Sequence, residues 1–196
     1  MALTVKESAR RRNTSPTSTT LHMLVEDIDC SGLPAAPEDG EFIIANANGA
    51  TAIQTGDVGS DGNAYDLNQT NPPLFRMVWS SALRSDRSAL GDTRVPVISK
   101  GGGKFKTKLF LCEGTNTPQD SGYVPGAQLT VLMTSHRGTD RGLLSPADAT
   151  MTGIADDQAV WVVGQVVRVV NNSSVSGTAE IEFLLYSEPR IGYTTA

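Results

Sequence analysis

Three short runs in the last third of the chain constrain its fold more than any other feature. Gln128–Thr134 reads QLTVLMT, Val160–Val170 reads VWVVGQVVRVV and Ala179–Tyr186 reads AEIEFLLY. Each run is rich in β-branched or aromatic residues and is bounded by Gly, Pro, Asn or Ser, which is the pattern of a β-strand. The middle run is apolar on both of its faces, so we expect a strand that is covered on two sides.

The last of these runs alternates at its start. Ile181 and Phe183 share one face of the predicted strand, and Glu180 and Glu182 share the other. We therefore expect one face to be wet until Leu184, beyond which the strand is apolar throughout.

Weaker strand signals occur earlier in the chain. Leu21–Ile28 is interpreted as a strand in preference to a short helical turn, and Leu74–Leu83 as a strand, with a helix running on to Leu90 as the alternative. The other predicted strands are Glu41–Ala47, Val95–Ser99 and Lys104–Cys112.

The predicted connections differ in length and character. Gly101–Gly103 indicates a hinge or tight turn, and Asn171–Gly177 indicates a hairpin connection. A long excursion is expected between residues 136 and 157, and loops of this length are usually functional or become ordered against a partner.

These elements predict one all-β domain, a barrel or sandwich with long loops and an extended N-terminal arm. Residues 1–40 form the predicted flexible arm and linker, because NTSPTSTT has no apolar periodicity and Ser31–Gly40 is rich in Pro and Gly. Residues 41–196 form the predicted β-barrel or β-sandwich domain.

Composition excludes several classes of protein. A net charge of -5 argues against a specific nucleic-acid binder, which would normally be basic. No apolar run approaches the ~20 residues of a membrane helix, and the polar N-terminus does not predict export. Cys30 and Cys112 are therefore expected to be free thiols.

The search for catalytic or cofactor chemistry predicts none. His22 and His136 lack metal-ligand spacing, and the segment from Asp57 to Gly62 matches a calcium loop at only part of its positions. Gly101–Lys104 lacks both the first glycine of a phosphate loop and the Ser or Thr after the lysine. We predict no catalytic residue, no bound cofactor and no metal site.

Charged and apolar residues provide the candidates for partner binding. Lys104, Lys106 and Lys108 share one face of a predicted strand, opposite Phe105, Thr107 and Leu109. This stripe either contacts an acidic partner surface or marks a wet edge strand, where lysines discourage unwanted pairing.

Two further groups are candidates for partner contact. The basic run Arg10, Arg11 and Arg12 can either attract nucleic acid or belong to an arm that becomes ordered across a neighbouring subunit. Leu143 and Leu144 lie in the predicted excursion and are expected to be exposed apolar anchors.

The second half of the chain resembles the decoration or cement proteins of tailed-bacteriophage heads. The resemblance covers residues 74–189 and depends on three phrases in order: KFKTKLFL, then YVPGAQLTV, then VVGQVV before a polar turn and a hydrophobic final strand. These are strand-and-turn phrases rather than catalytic signatures.

The resemblance implies a non-enzymatic virion structural protein, made in the host cytoplasm and located in the capsid. Its implied partners are the major capsid protein and itself, as a homodimer or homotrimer. The alternatives are another virion component, such as a minor head, tail or fibre-associated protein, and a free-standing carbohydrate-binding β-sandwich module.

Overall fold

The structure is a computed structural model of the chain. It describes residues 4–6, 24–33, 35–46, 49–51, 74–79, 93–100, 102–112, 114–136, 139–152, 159–175 and 177–195.

The described residues form eleven strands and one four-residue helix. The strands are β1 (Thr4–Lys6), β2 (Leu24–Asp29), β3 (Phe42–Asn46), β4 (Gly49–Thr51), β5 (Phe75–Val78), β6 (Arg94–Lys100), β7 (Gly103–Thr107), β8 (Gln128–His136), β9 (Thr139–Pro146), β10 (Ala159–Asn171) and β11 (Glu180–Tyr193). The helix, α1, is Ala149–Thr152.

All eleven strands belong to one antiparallel sheet that curls into a half-barrel. The hydrogen-bonded order is β1-β7-β11-β10-β8-β9-β3-β5-β6-β2, and β4 pairs with β3 beside this path. The predicted all-β class is therefore confirmed. Two of the strands, β1 and β2, lie within residues 1–40, and residues 7–23 lie outside the described part of the chain.

Strands β6 and β7 are joined by the short glycine segment where the sequence indicates a hinge. These strands stand near opposite ends of the sheet order, yet only Gly101 and Gly102 separate them. Three Cα-to-Cα steps of about 3.8 Å allow at most roughly 11 Å between Lys100 and Gly103. The two ends of the sheet must therefore approach each other here, which requires the sheet to curl.

Two apolar clusters occupy opposite faces of the β3–β5–β6 part of the sheet. Neighbouring residues of β5 divide between them, with Met77 in the larger cluster and Val78 in the smaller. The same division occurs in β6 between Ile98 and Val97. The larger cluster contains residues from the strands between β7 and β6 in the sheet order. The smaller cluster also contains Ile28 and Cys30.

The three strong strand predictions are confirmed, and the predicted hairpin connects β10 to β11. The coverage predicted for β10 holds only for its first half, because Val160–Gly164 is buried whereas Arg168 is exposed. Strand β11 continues to Tyr193, seven residues beyond the predicted end.

The long excursion predicted for residues 136–157 is wrong over residues 139–152, and residues 153–157 lie outside the described part of the chain. Strand β9 lies within it and pairs with β8 over its whole length, from Leu129 opposite Pro146 to His136 opposite Thr139. The sequence TDRGLLSP has few β-branched residues, so its strand conformation results from pairing with β8 rather than from local propensity.

Candidate functional site

The lysine stripe lies on the outer face of the sheet. Phe105, Thr107 and Leu109 are buried, whereas Lys104 and Lys108 are exposed and Lys106 is half-buried. The predicted alternation is therefore confirmed over β7. The edge-strand interpretation is wrong, because β7 pairs with β11 on one side and with β1 on the other.

Carboxylates of β11 neutralise part of this lysine face. Lys106 Nζ lies 3.4 Å from Glu180 Oε2, and Arg168 Nε of β10 donates to Glu182 Oε2 at 2.9 Å. Glu182 is only 5% exposed, so the wet face predicted for β11 is wrong at this residue. The side chain of Arg168 supplies the opposite charge that burial of this carboxylate requires.

Leu143 and Leu144 are buried, and the prediction that they are exposed anchors is wrong. Both lie in β9, with exposed fractions of 2% and 0%. Leu144 packs in the larger apolar cluster, because β9 pairs with β8 and places this side chain on the inner face of the sheet. The candidates Arg10, Arg11 and Arg12 lie outside the described residues.

A register shift between β10 and β11 shapes one wall of a cleft. Val162 pairs with Arg190 and Gly164 pairs with Leu185, so Val163 alone on β10 faces four residues, Tyr186–Pro189, on β11. Such a bulge bends a strand and redirects its side chains. Pro189 fits this position because it cannot donate a ladder hydrogen bond.

Two glycines allow β11 to bend at this bulge. A Cβ on Gly164 would collide with the carbonyl oxygen of Leu184, and a Cβ on Gly102 would lie 2.6 Å from the carbonyl oxygen of Leu185. Because β10 and β7 flank β11, these glycines approach the same bend from both sides.

The bulge forms one wall of a cavity of about 320 Å³. The floor and inner walls are apolar and come from β3, β5, β6, β10 and β11. These residues are Phe42, Phe75, Met77, Ile98, Val163 and Leu185. Strands β8 and β9 lie between β10 and β3 in the sheet, so curling of the sheet brings the two walls together.

The rim of the cavity contains two charged residues. Arg76 is engaged, since Nε donates to Glu26 Oε1 at 2.7 Å and Nη1 donates to the Phe75 carbonyl oxygen at 3.0 Å. Glu188 is exposed and forms no ion pair with any residue that the structure describes. Sequence reasoning missed this site, because its walls come from segments as far apart in the chain as Phe42 and Pro189. Pro189, just beyond the predicted end of the last strand, was the one available signal.

A buried ion-pair cluster joins β9 to the segment before β3. Arg141 Nη1 donates to Glu41 Oε2 at 2.6 Å and to the Ala36 carbonyl oxygen at 3.2 Å, and Nη2 lies 3.6 Å from Glu38 Oε1. Burial raises the pKa of the Glu41 carboxyl, although the Glu38 amide and the Arg141 guanidinium act in the opposite direction. The cluster links two chain segments, and neither Glu41 nor Arg141 lines the cavity.

Tyr123 links the YVPGAQLTV segment to the half-barrel by hydrogen bonds and ring packing. Its hydroxyl lies 2.6 Å from the Leu111 carbonyl oxygen and 2.9 Å from that of Leu144, and its ring packs edge-on against Phe110. Burial raises the pKa of the Tyr123 hydroxyl well above its ordinary value, so it remains a neutral donor.

Other chemistry was sought in the described part of the chain. Cys30 and Cys112 are free thiols, as predicted. Within the same residues, no group of three His, Cys, Asp or Glu side chains is placed to hold a metal ion, and no helix has the length and hydrophobicity to cross a membrane.

Comparison with known proteins found no match to the chain among protein-family models, curated proteins or solved structures.

Proposed function

We propose that this chain is a non-enzymatic virion structural protein, a decoration or cement protein that binds the major capsid protein lattice and stabilises a phage head. The observation that carries the proposal is the outer face of β7 in a continuous sheet, where Lys104 is exposed, together with Lys108, which is exposed directly after the end of the strand. Two exposed ammonium groups on such a scaffold suit contact with an acidic protein surface. The sequence resemblance over residues 74–189 supports the same role.

The physical requirements of a shell protein agree with this proposal. A shell presents many equivalent sites, so modest contacts add through multivalency, especially for a protein that also forms a homodimer or homotrimer. Binding across subunit seams stabilises the assembled shell by mass action. Neither effect requires a catalytic site.

The first test is the copy number of this chain in purified virus particles, measured by quantitative mass spectrometry relative to the major shell protein. We expect a ratio near one or a simple fraction of one. A handful of copies per particle would instead indicate a tail, portal or fibre component, and absence from particles would exclude a virion role.

The second test addresses the lysine face. Replacing Lys104, Lys106 and Lys108 together with Ser should weaken binding to purified shells and flatten its dependence on salt concentration. Arg190→Ser is the matched control, because it removes an exposed cation of β11 beyond the bulge. Unchanged binding and unchanged salt dependence of the triple variant would exclude the lysine face as the contact.

A third test concerns the N-terminal segment. Thr4–Lys6 pairs with Lys104–Lys106, so β1 lies directly beside the lysine face. Deletion of residues 1–20 should weaken attachment to the shell while circular dichroism still reports a folded sheet. Full retention on the shell would show that the segment does not contribute.

A free-standing binding module is the second candidate, and the cavity beside the β11 bulge is the observation that favours it. Its volume of about 320 Å³ lies at the lower end of the range for small-molecule sites, roughly 300–1,000 Å³. Particles that lack this chain, together with saturable ligand binding by the purified protein, would favour this function over the first.

A further inference from the structure

We propose that the cavity beside the β11 bulge binds a small organic cation with a compact apolar body. The capsid role does not use this site, so the proposal can be tested separately from that role.

The shape of the cavity favours a compact ligand over an extended chain. Its floor consists of side chains that are each less than a tenth exposed, including Phe42, Met77 and Val163. Walls from β5 and β6 face the β11 bulge, so the cleft is bounded on opposite sides. An apolar group of about eight to ten heavy atoms would displace water from this floor, and burial of apolar area is the main source of affinity in such sites.

The cavity is built from backbone that has little freedom to collapse. Gly102 and Gly164 hold the bend of β11 through close backbone contacts, and Pro189 restricts the end of the bulge. The opposite wall is held by the pairing of Met77 with Ile98. A ligand would therefore enter a site that is largely formed before binding, which reduces the entropic cost of association.

The charge at the rim favours a cation. The guanidinium of Arg76 is engaged by Glu26, and the guanidinium of Arg190 lies over the Tyr186 ring at 4.4 Å from its centroid. The hydroxyl of Ser99 donates to the Leu24 carbonyl oxygen. The Glu188 carboxylate is thus the charged rim group that remains available, and it can pair with an ammonium group whose apolar body occupies the floor.

The same arrangement discriminates against other ligands of similar size. An anion would approach the exposed Glu188 carboxylate across a partly apolar cleft, where water screens the repulsion less than in bulk solvent. A neutral ligand would gain the apolar contacts but lose the charge-assisted hydrogen bond. We therefore expect cation, neutral ligand and anion to bind in that order.

Titration of the full-length chain with benzylamine, benzyl alcohol and benzoate, followed by two-dimensional amide NMR at low ionic strength, tests the proposal. Benzylamine should shift the signals of Ile98, Val163 and Leu185, with an affinity about tenfold above that of benzyl alcohol. Benzoate should bind most weakly.

Three variants complete the experiment. Glu188→Gln should reduce the affinity for benzylamine about tenfold, to that for benzyl alcohol. Asp120→Asn, which removes an exposed carboxylate from a different loop, should leave both affinities unchanged. Ser99→Phe, which places a ring at the cavity wall, should abolish binding of all three compounds.

Any of three results would overturn the proposal: no response of the lining signals to benzylamine, equal affinities for benzylamine and benzoate, or an unchanged affinity in Glu188→Gln. Because Glu188 is exposed, Glu188→Gln is expected to fold normally, so the proposal can be decided even if Ser99→Phe does not fold. None of these results bears on the copy number in virus particles.

Discussion

At the scale of single residues, buried polar groups hold the loops onto the half-barrel. Tyr123 contacts the carbonyl oxygens of Leu111 and Leu144 from a fully buried position. Arg141 contacts Glu41 and the Ala36 carbonyl oxygen in a similar way. In both cases one buried side chain adds hydrogen bonds between chain segments that lie apart in the sequence, and removal of that side chain leaves buried partners without compensation.

Tyr123→Phe should lower the free energy of unfolding by about 1–3 kcal/mol, because it leaves buried carbonyl oxygens with fewer donors while the ring is retained. Chemical denaturation measures the change. Tyr193→Phe is the matched control; Tyr193 is 59% exposed, so its change should stay within about 0.5 kcal/mol. Equal effects of the two substitutions would contradict the proposed role of the Tyr123 hydroxyl.

The raised pKa of Glu41 predicts a pH dependence of stability. The folded chain retains a proton on Glu41 at pH values where the unfolded chain, with a pKa near 4.5, has lost it. The contribution of this group to stability is therefore fully present below pH 4.5 and is lost as the pH rises through the folded pKa. As the pH rises from below 4.5 through the folded pKa of Glu41, the free energy of unfolding of the wild-type chain should fall relative to that of Glu41→Gln.

Asp120 provides a control of opposite sign. Hydrogen bonds from the Thr117 side chain and backbone lower the pKa of Asp120, so its contribution is present above the ordinary pKa of 3.8 and is lost as the pH falls through the folded pKa. Denaturation midpoints should be measured across the acidic range for the wild-type chain and both variants. As the pH rises, the midpoint of the wild-type chain should fall relative to that of Glu41→Gln and rise relative to that of Asp120→Asn. The same direction in both would contradict the assignment for Glu41.

At the scale of elements, the bend of β11 links strand geometry to the cavity. Four residues of the bulge face Val163, and a glycine approaches the bend from each side, Gly164 in β10 and Gly102 directly before β7. The sequence VVGQVV predicts a strand, and a glycine within a strand indicates a close backbone approach without identifying the partner. Only the pairing of β10 with β11 identifies that partner as Leu184.

Gly164→Ala should destabilise the protein by about 1–3 kcal/mol, because the new Cβ would collide with the Leu184 carbonyl oxygen and shift the backbone. Gly32→Ala is the control: its Cβ would meet the Ala50 carbonyl oxygen at 3.5 Å, an ordinary contact, so its effect should be small. Thermal unfolding of both variants measures the difference. A neutral Gly164→Ala would show that the bend tolerates a side chain.

At the scale of the whole molecule, one continuous sheet carries both apolar clusters. The clusters share strands β3, β5 and β6, so neighbouring residues such as Phe42 and Ile43 belong to different clusters. Loss of packing on one face must disturb the strands that support the other face. The two clusters should therefore unfold together as one cooperative unit.

Ile43→Ala in the smaller cluster and Leu129→Ala in the larger one should each lower the free energy of unfolding by about 2–5 kcal/mol. In both variants, tryptophan fluorescence and far-ultraviolet circular dichroism should report the same single transition. Trp161 lies in the larger cluster, so it reports on that cluster directly. Two separate transitions in Ile43→Ala would show that the smaller cluster unfolds independently.

The amino-acid sequence was sufficient to predict the strands that have strong local patterns, which include β8, the core of β10 and the start of β11. Their signal comes from β-branched residues and from alternation within a few neighbouring residues, so it does not depend on a distant partner. The sequence also determined which face of β7 carries lysines. Tertiary structure alone decided the strand character of β9, the burial of Leu143, Leu144 and Glu182, and the cavity at the bulge. Each of these depends on a partner distant in the chain, and local sequence carries no information about which distant segment will pair with it.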